Sequence, residues 1–85
     1  MNYSVTLKPR AERDLDKLPD PIARRIWRKL FALETEPRPP GCKKIEGEDD
    51  AYRIRIGDYR AVYLIDDQAK LVEVVRVAHR REIYR

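Results

Sequence analysis

The stretch Tyr52-Arg53-Ile54-Arg55-Ile56-Gly57-Asp58-Tyr59-Arg60-Ala61-Val62-Tyr63 decides the fold of this chain. Residues 52–56 alternate strictly, and residues 59–65 form a second strand-like run. Gly57-Asp58 between them suits a two-residue hairpin turn, because glycine is free to take a positive φ. That turn sets the register by counting: Ile56 faces Tyr59, Arg55 faces Arg60, Ile54 faces Ala61, Arg53 faces Val62, and Tyr52 faces Tyr63. Cross-strand partners share a face of the sheet. Tyr52, Ile54, Ile56, Tyr59, Ala61 and Tyr63 therefore belong to a core face, and Arg53, Arg55 and Arg60 emerge together on the other.

Working outward, Leu71–Ala78 predicts a third strand after the polar turn Asp66-Asp67-Gln68. Toward the N-terminus, Tyr3, Val5 and Leu7 alternate with Ser4 and Thr6, the pattern of a half-buried strand. Pro9 opens a helix carrying Ala11, Leu15 and Leu18 at helical spacing, and Pro19 ends it. Asp20-Pro21 starts a second helix, with Asp20 as the expected N-cap and an apolar stripe of Ile22, Ile26, Leu30 and Leu33. Pro37 to Asp50 is expected to be a loop, with Lys43-Lys44-Ile45 as a short extended piece. The fold class is α+β: a β-α-α-β-β-β order, an antiparallel-dominated sheet, a two-helix hairpin on one face, and an open basic face on the other.

With 85 residues the chain has room for one domain, spanning 1–85, and for a thin core. An enclosed substrate pocket is not expected; an open face that a large partner completes is. Lys and Arg number 19 against 15 Asp and Glu, a net charge of +4, which favours an anionic partner, nucleic acid ahead of membrane. Cys42 is the only cysteine and His79 the only histidine, so an internal disulfide is excluded and a zinc site is not expected. This suits a reducing cytoplasm. No apolar run reaches the length of a membrane span.

Like charges placed opposite one another disfavour a sheet. Three arginines on one face therefore mark either a site for phosphate, which the planar guanidinium suits, or a solvated face paired with carboxylates such as Glu73 or Asp49. The C-terminal run adds Arg76, His79, Arg80, Arg81, Tyr84 and Arg85. Arg76, Ala78 and Arg80 would share a face if the strand ran on. Tyr84 is placed either to stack on a base or to anchor the tail. Arg24, Arg25, Arg28 and Lys29 crowd the second helix, either as ordinary solvated charge or as contacts to RNA phosphates.

At Tyr52-Arg53-Ile54-Arg55, Tyr59-Arg60-Ala61-Val62-Tyr63 and His79-Arg80-Arg81-Glu82-Ile83-Tyr84-Arg85 the chain resembles the RelE/ParE toxin superfamily, and the resemblance spans essentially its whole length. A RelE-type resemblance implies an endoribonuclease that cuts mRNA in the ribosomal A site. The 2′-hydroxyl attacks the adjacent phosphate, with no metal or other cofactor. Carried over, Arg55, Arg60, Arg80 and Tyr84 are the catalytic candidates, with His79 added as a candidate for proton transfer because histidine suits that role near neutral pH. Arg53, Arg76, Arg81, Arg24, Arg28 and Lys29 are the RNA-binding candidates. RelE has lysines where this chain has Arg53 and Arg55, and arginine is a poor general base. The implied partners are a cognate RelB-like antitoxin, the ribosome with its mRNA and rRNA, and operator DNA only through the antitoxin; no membrane partner is implied. The rival readings are a ParE-type inhibitor of DNA gyrase and a non-catalytic module that binds RNA or an acidic partner.

Overall fold

The strands nearest the two ends of the chain lie side by side. In the computed structural model, which describes residues 2–83, β1 (Ser4–Leu7) lies parallel to β5 (Leu71–His79). Between them in sequence come α1 (Pro9–Asp16), α2 (Asp20–Ala32), β2 (Lys43–Lys44), β3 (Ala51–Ile56) and β4 (Tyr59–Asp66), and α3 (Arg80–Ile83) follows. The sheet order is β1-β5-β4-β3-β2, antiparallel everywhere except at β1–β5. The β3–β4 register is the one that the Gly57-Asp58 turn dictates, from Ile56 opposite Tyr59 to Tyr52 opposite Tyr63. Gly57 takes a φ of 62°, the left-handed conformation the tight turn demands.

One face of the sheet is the core. Ile54, Ile56, Ala61, Tyr63, Ile65, Val72, Val74 and Val77 meet Ala11 and Leu15 of α1, Ile26 and Leu30 of α2, and Leu33 just beyond it. Both helices thus cover the same face, α1 against β1 and β5, α2 against β3.

One local expectation changes, and two features go beyond the sequence reading. Asp20 is the first residue of α2, with Pro19 in the cap position and no side-chain capping bond; the fixed φ of proline sets the entry instead. The register shifts where Val62 faces Arg76 but Tyr63 faces Val74, so Val75 is an extra residue in β5, a β-bulge. The bulge lets Val74 and Val77 both reach the core and turns Arg76 out of it. Finally, the tail is not extended: the strand ends at His79 and a helical turn begins at Arg80. Arg80 therefore leaves the line of Arg76 and Ala78.

The loop after α2 is tied to the sheet by polar contacts. The buried Tyr63 donates its hydroxyl to the Pro37 carbonyl at 2.8 Å. Arg38 grips Asp67 with two nitrogens, at 3.2 and 2.9 Å, and donates its Nε to the Tyr52 hydroxyl at 3.1 Å. Tyr3 adds a hydroxyl to Asp67 at 2.7 Å. The Arg38 guanidinium, helped by Tyr3, holds the Asp67 carboxyl below the usual carboxylate range. A carboxyl lowered on folding stabilises the native state above its unfolded value, about 3.9, and that contribution is lost as the pH falls through the folded value. Asp67→Asn is accordingly expected to be less stable than the wild type at neutral pH, with the gap closing below about pH 4. Urea titrations of both proteins at a series of pH values check this; a gap that stays constant into acid would exclude the Arg38–Asp67 pair as its source.

Candidate phosphate-binding cleft

The hairpin delivers its arginines to the face away from the helices. Arg55 stands directly opposite Arg60, and Arg53 directly opposite Lys43 of β2. Two like-charged pairs thus lie side by side on three adjacent strands. Each such pair costs the sheet up to about 1 kcal/mol, a cost that a bound anion removes. Lys43, Arg53, Arg55 and Arg60, with Gly41 and Ile54, line an open cleft of about 200 Å³. Arg53 and Arg60 are half-buried, while Lys43 and Arg55 are exposed. Arg55 donates its Nε to the Gly57 carbonyl at 3.1 Å, and Arg60 reaches the Tyr59 carbonyl at 3.4 Å.

The basic surface continues past the cleft. Arg25 of α2 reaches over the hairpin turn, where a Cβ on Gly57 would lie 3.2 Å from one of its guanidinium nitrogens. Lys29 and Arg55 together border a second hollow of about 390 Å³, walled by Ala32, Leu33, Pro39, Pro40 and Ile54. Arg24 and Arg28 are exposed on α2.

The C-terminal candidates divide. Arg80 begins α3 beside the hairpin, its backbone N–H donated to the Asp58 carbonyl at 2.8 Å, and its side chain is exposed, as is that of Arg81. His79 pairs with Tyr59 in the ladder and meets its ring edge-on at 5.5 Å, on the face that carries the helices. Its Nδ1 accepts the Arg81 N–H at 3.3 Å. The structure does not bring His79 into the cleft. Arg76 shares the open face with Val62 by register, yet its Nε lies 3.9 Å from Asp14 of α1. The same Asp14 carboxylate accepts the Val77 N–H at 2.9 Å, closing the edge of β5 beyond the end of β1. Tyr84 lies outside the described residues. Of the carboxylates considered as arginine partners, Glu73 pairs with Lys8 at 3.6 Å.

Sequence reasoning missed Lys43 and placed Arg25 only on the helix surface. The signal for Lys43 was present but faint. A two-residue strand is too short to show alternation, and only its pairing with Tyr52-Arg53 assigns it a face.

Cleft and fold together define a small basic α+β domain that presents its cations on the open face of a sheet. The chain belongs to the RelE/ParE toxin superfamily: the model of the family described as the ParE toxin of type II toxin–antitoxin systems, parDE, matches residues 5–84. It is 37% identical over 86 residues to Toxin RelG of Mycobacterium tuberculosis, covering 100% of this chain and 99% of that protein. Its fold matches the RelE of the archaeal RelE–RelB complex from Pyrococcus horikoshii with a TM-score of 0.83 at 32% identity, over 94% of this chain and 97% of the other. The toxin–antitoxin complex RelBE2 of M. tuberculosis gives a TM-score of 0.83 at 34% identity, over 93% and 92% of the two chains. The protein is thus a toxin of a type II toxin–antitoxin system. Among the described residues no helix is long and apolar enough to cross a membrane.

Proposed function

We propose that this toxin is a ribosome-dependent endoribonuclease that cleaves mRNA in the A site. The observation that carries the reading is the cleft itself, where Lys43, Arg53, Arg55 and Arg60 converge on one open face. In the reaction the 2′-hydroxyl attacks the adjacent phosphorus, the bond to the 5′-oxygen breaks, and a cyclic phosphate and a 5′-hydroxyl result. The transition state gathers negative charge on the phosphoryl oxygens, and fixed cations facing that charge lower the barrier most. Arg55 and Arg60 would supply them from the sheet, Arg80 from the start of α3, with Arg53 positioning the phosphate. Tyr84 would stack on a base. His79 retains a role in proton transfer only if the chain end rearranges on the ribosome.

A cleft of about 200 Å³ is too shallow to hold a dinucleotide by itself. That favours a reaction completed by the ribosome, in the cytoplasm, with Arg24, Arg28, Lys29 and Arg81 against rRNA phosphates. The partner in the resting state is a RelB-like antitoxin, as in the RelE–RelB complexes it resembles, and operator DNA would be met only through that antitoxin. A second reading, inhibition of DNA gyrase, is favoured by the ParE description of the matching family model.

Purified protein is added to ribosomes programmed with a defined mRNA, and the products are mapped by primer extension. Cuts at codon-defined positions that require the ribosome are expected. Intact mRNA together with a block of gyrase supercoiling would establish the second reading.

A further inference from the structure

The cleavage needs a proton as well as charge: the departing 5′-oxygen must receive one. We propose that Lys43 is the general acid that supplies it, an inference that rests on the ribonuclease reading above. Arg53, Arg55 and Arg60 remain protonated throughout and are poor proton donors. Gly41 and Ile54 have nothing to give. Among the described residues, Lys43 is the one cleft-lining side chain that can release and regain a proton.

Its placement suits the task. Lys43 is in register with Arg53 on β2, so the two side chains share the open face with Cβ atoms about 4.5–5.5 Å apart. It enters from β2, whereas the arginines enter from β3 and β4, so a phosphate held by the guanidinium groups meets the ammonium from another side. The short strand is fixed at both ends. Cys42 N–H donates to the Pro39 carbonyl at 3.0 Å, and Ile45 N–H to the Ala51 carbonyl at 2.9 Å. Tyr63 secures the start of the same loop through Pro37. His79, the histidine considered for proton transfer, sits on the helix-bearing face with Nδ1 accepting the Arg81 N–H.

The balance of the step is complete. The 2′-oxygen forms its bond to phosphorus and gives its proton to water. The bond from phosphorus to the 5′-oxygen breaks, and the Lys43 ammonium protonates that oxygen. The amine left behind is reprotonated by solvent.

The test compares Lys43→Arg, Lys43→Ala and His79→Ala with wild type in single-turnover cleavage on programmed ribosomes. Two mRNAs are used, one natural and one with sulfur in place of the bridging 5′-oxygen at the cleaved position. A 5′-thiolate leaves without a proton. Lys43→Arg keeps the charge but not the acidity. It is expected to lose about a hundredfold in rate on the natural mRNA and to recover to within a few-fold of wild type on the sulfur-bridged one. Lys43 is exposed, so its variants are expected to fold; circular dichroism checks that. Lys43→Arg cutting the natural mRNA normally would show that Lys43 is only a phosphate contact. A Lys43 defect that persists on the sulfur-bridged mRNA would do the same. A sulfur-rescued defect confined to His79→Ala would assign the acid to His79. If wild type cuts neither mRNA, the ribonuclease reading itself falls, an outcome distinct from these three.

Discussion

Arg60→Ala is expected to lower the single-turnover rate of ribosome-dependent cleavage by about a hundredfold to a thousandfold, the usual loss when one preorganised charge-stabilising donor is removed. Arg60 is half-buried, lines the cleft and stands opposite Arg55; in the proposed reaction its guanidinium would face the developing phosphoryl charge. Arg60→Lys keeps the charge without the fork and should recover only part of the rate. Stability should change by less than about 1 kcal/mol, because the substitution also relieves the like-charge opposition to Arg55. The activity loss therefore cannot be put down to unfolding, and a thermal melt on the same sample shows this. A variant that cuts within tenfold of wild type, but binds ribosomes more weakly and with a shallower salt dependence, would reduce Arg60 to a phosphate contact.

The largest stability effect is expected at Leu30. Its side chain is 0% exposed, lies on the inner face of α2 and packs into the shared core. Leu30→Ala should cost about 2–5 kcal/mol, the lost transfer energy plus the cavity left behind. A domain of this size buries only roughly 60% of its unfolded surface, and typical domains hold about 5–15 kcal/mol in all. The midpoint of thermal unfolding should therefore drop by roughly 10 °C or more. Phe31 is the control: it is the next residue, 50% exposed, and stacks on Trp27 with ring centroids 5.1 Å apart. Phe31→Ala should cost under about 1 kcal/mol. Urea midpoints for the two variants give the comparison, and equal losses would mean that α2 is not seated on the sheet as described.

Residues Tyr52 to Tyr63 carried their own register. A two-residue turn joins neighbouring strands, so pairing is fixed by counting outward from Gly57-Asp58, and five residue pairs come out as they stand in the sheet. The same counting placed Arg53, Arg55 and Arg60 together on one face. The helices were equally legible, because prolines at residues 9, 19 and 21 punctuate two apolar stripes with the spacing of a helical turn. Local periodicity was a sufficient signal in each case.

β5 resisted this treatment. Leu71, Val72, Val74, Val75, Val77 and Ala78 are apolar on both sides of any alternation, so the extra residue at the bulge leaves no trace in the pattern. That bulge decides which way Arg76 and His79 point. His79 was a candidate for its chemistry rather than its place in the strand, and the sheet carries it to the helix-bearing face beside Tyr59.

The sequence by itself determined the α+β class, the hairpin register and the arginine face, since all three follow from contacts between residues close along the chain. Only the tertiary structure decided that Lys43 completes the cleft, that Arg76 turns to Asp14, and that Asp14 closes the edge of β5 at Val77. Those arrangements join residues 10 to 63 positions apart. No local pattern encodes them: they arise when the core closes, and buried backbone groups and charges must then find partners wherever the chain brings them.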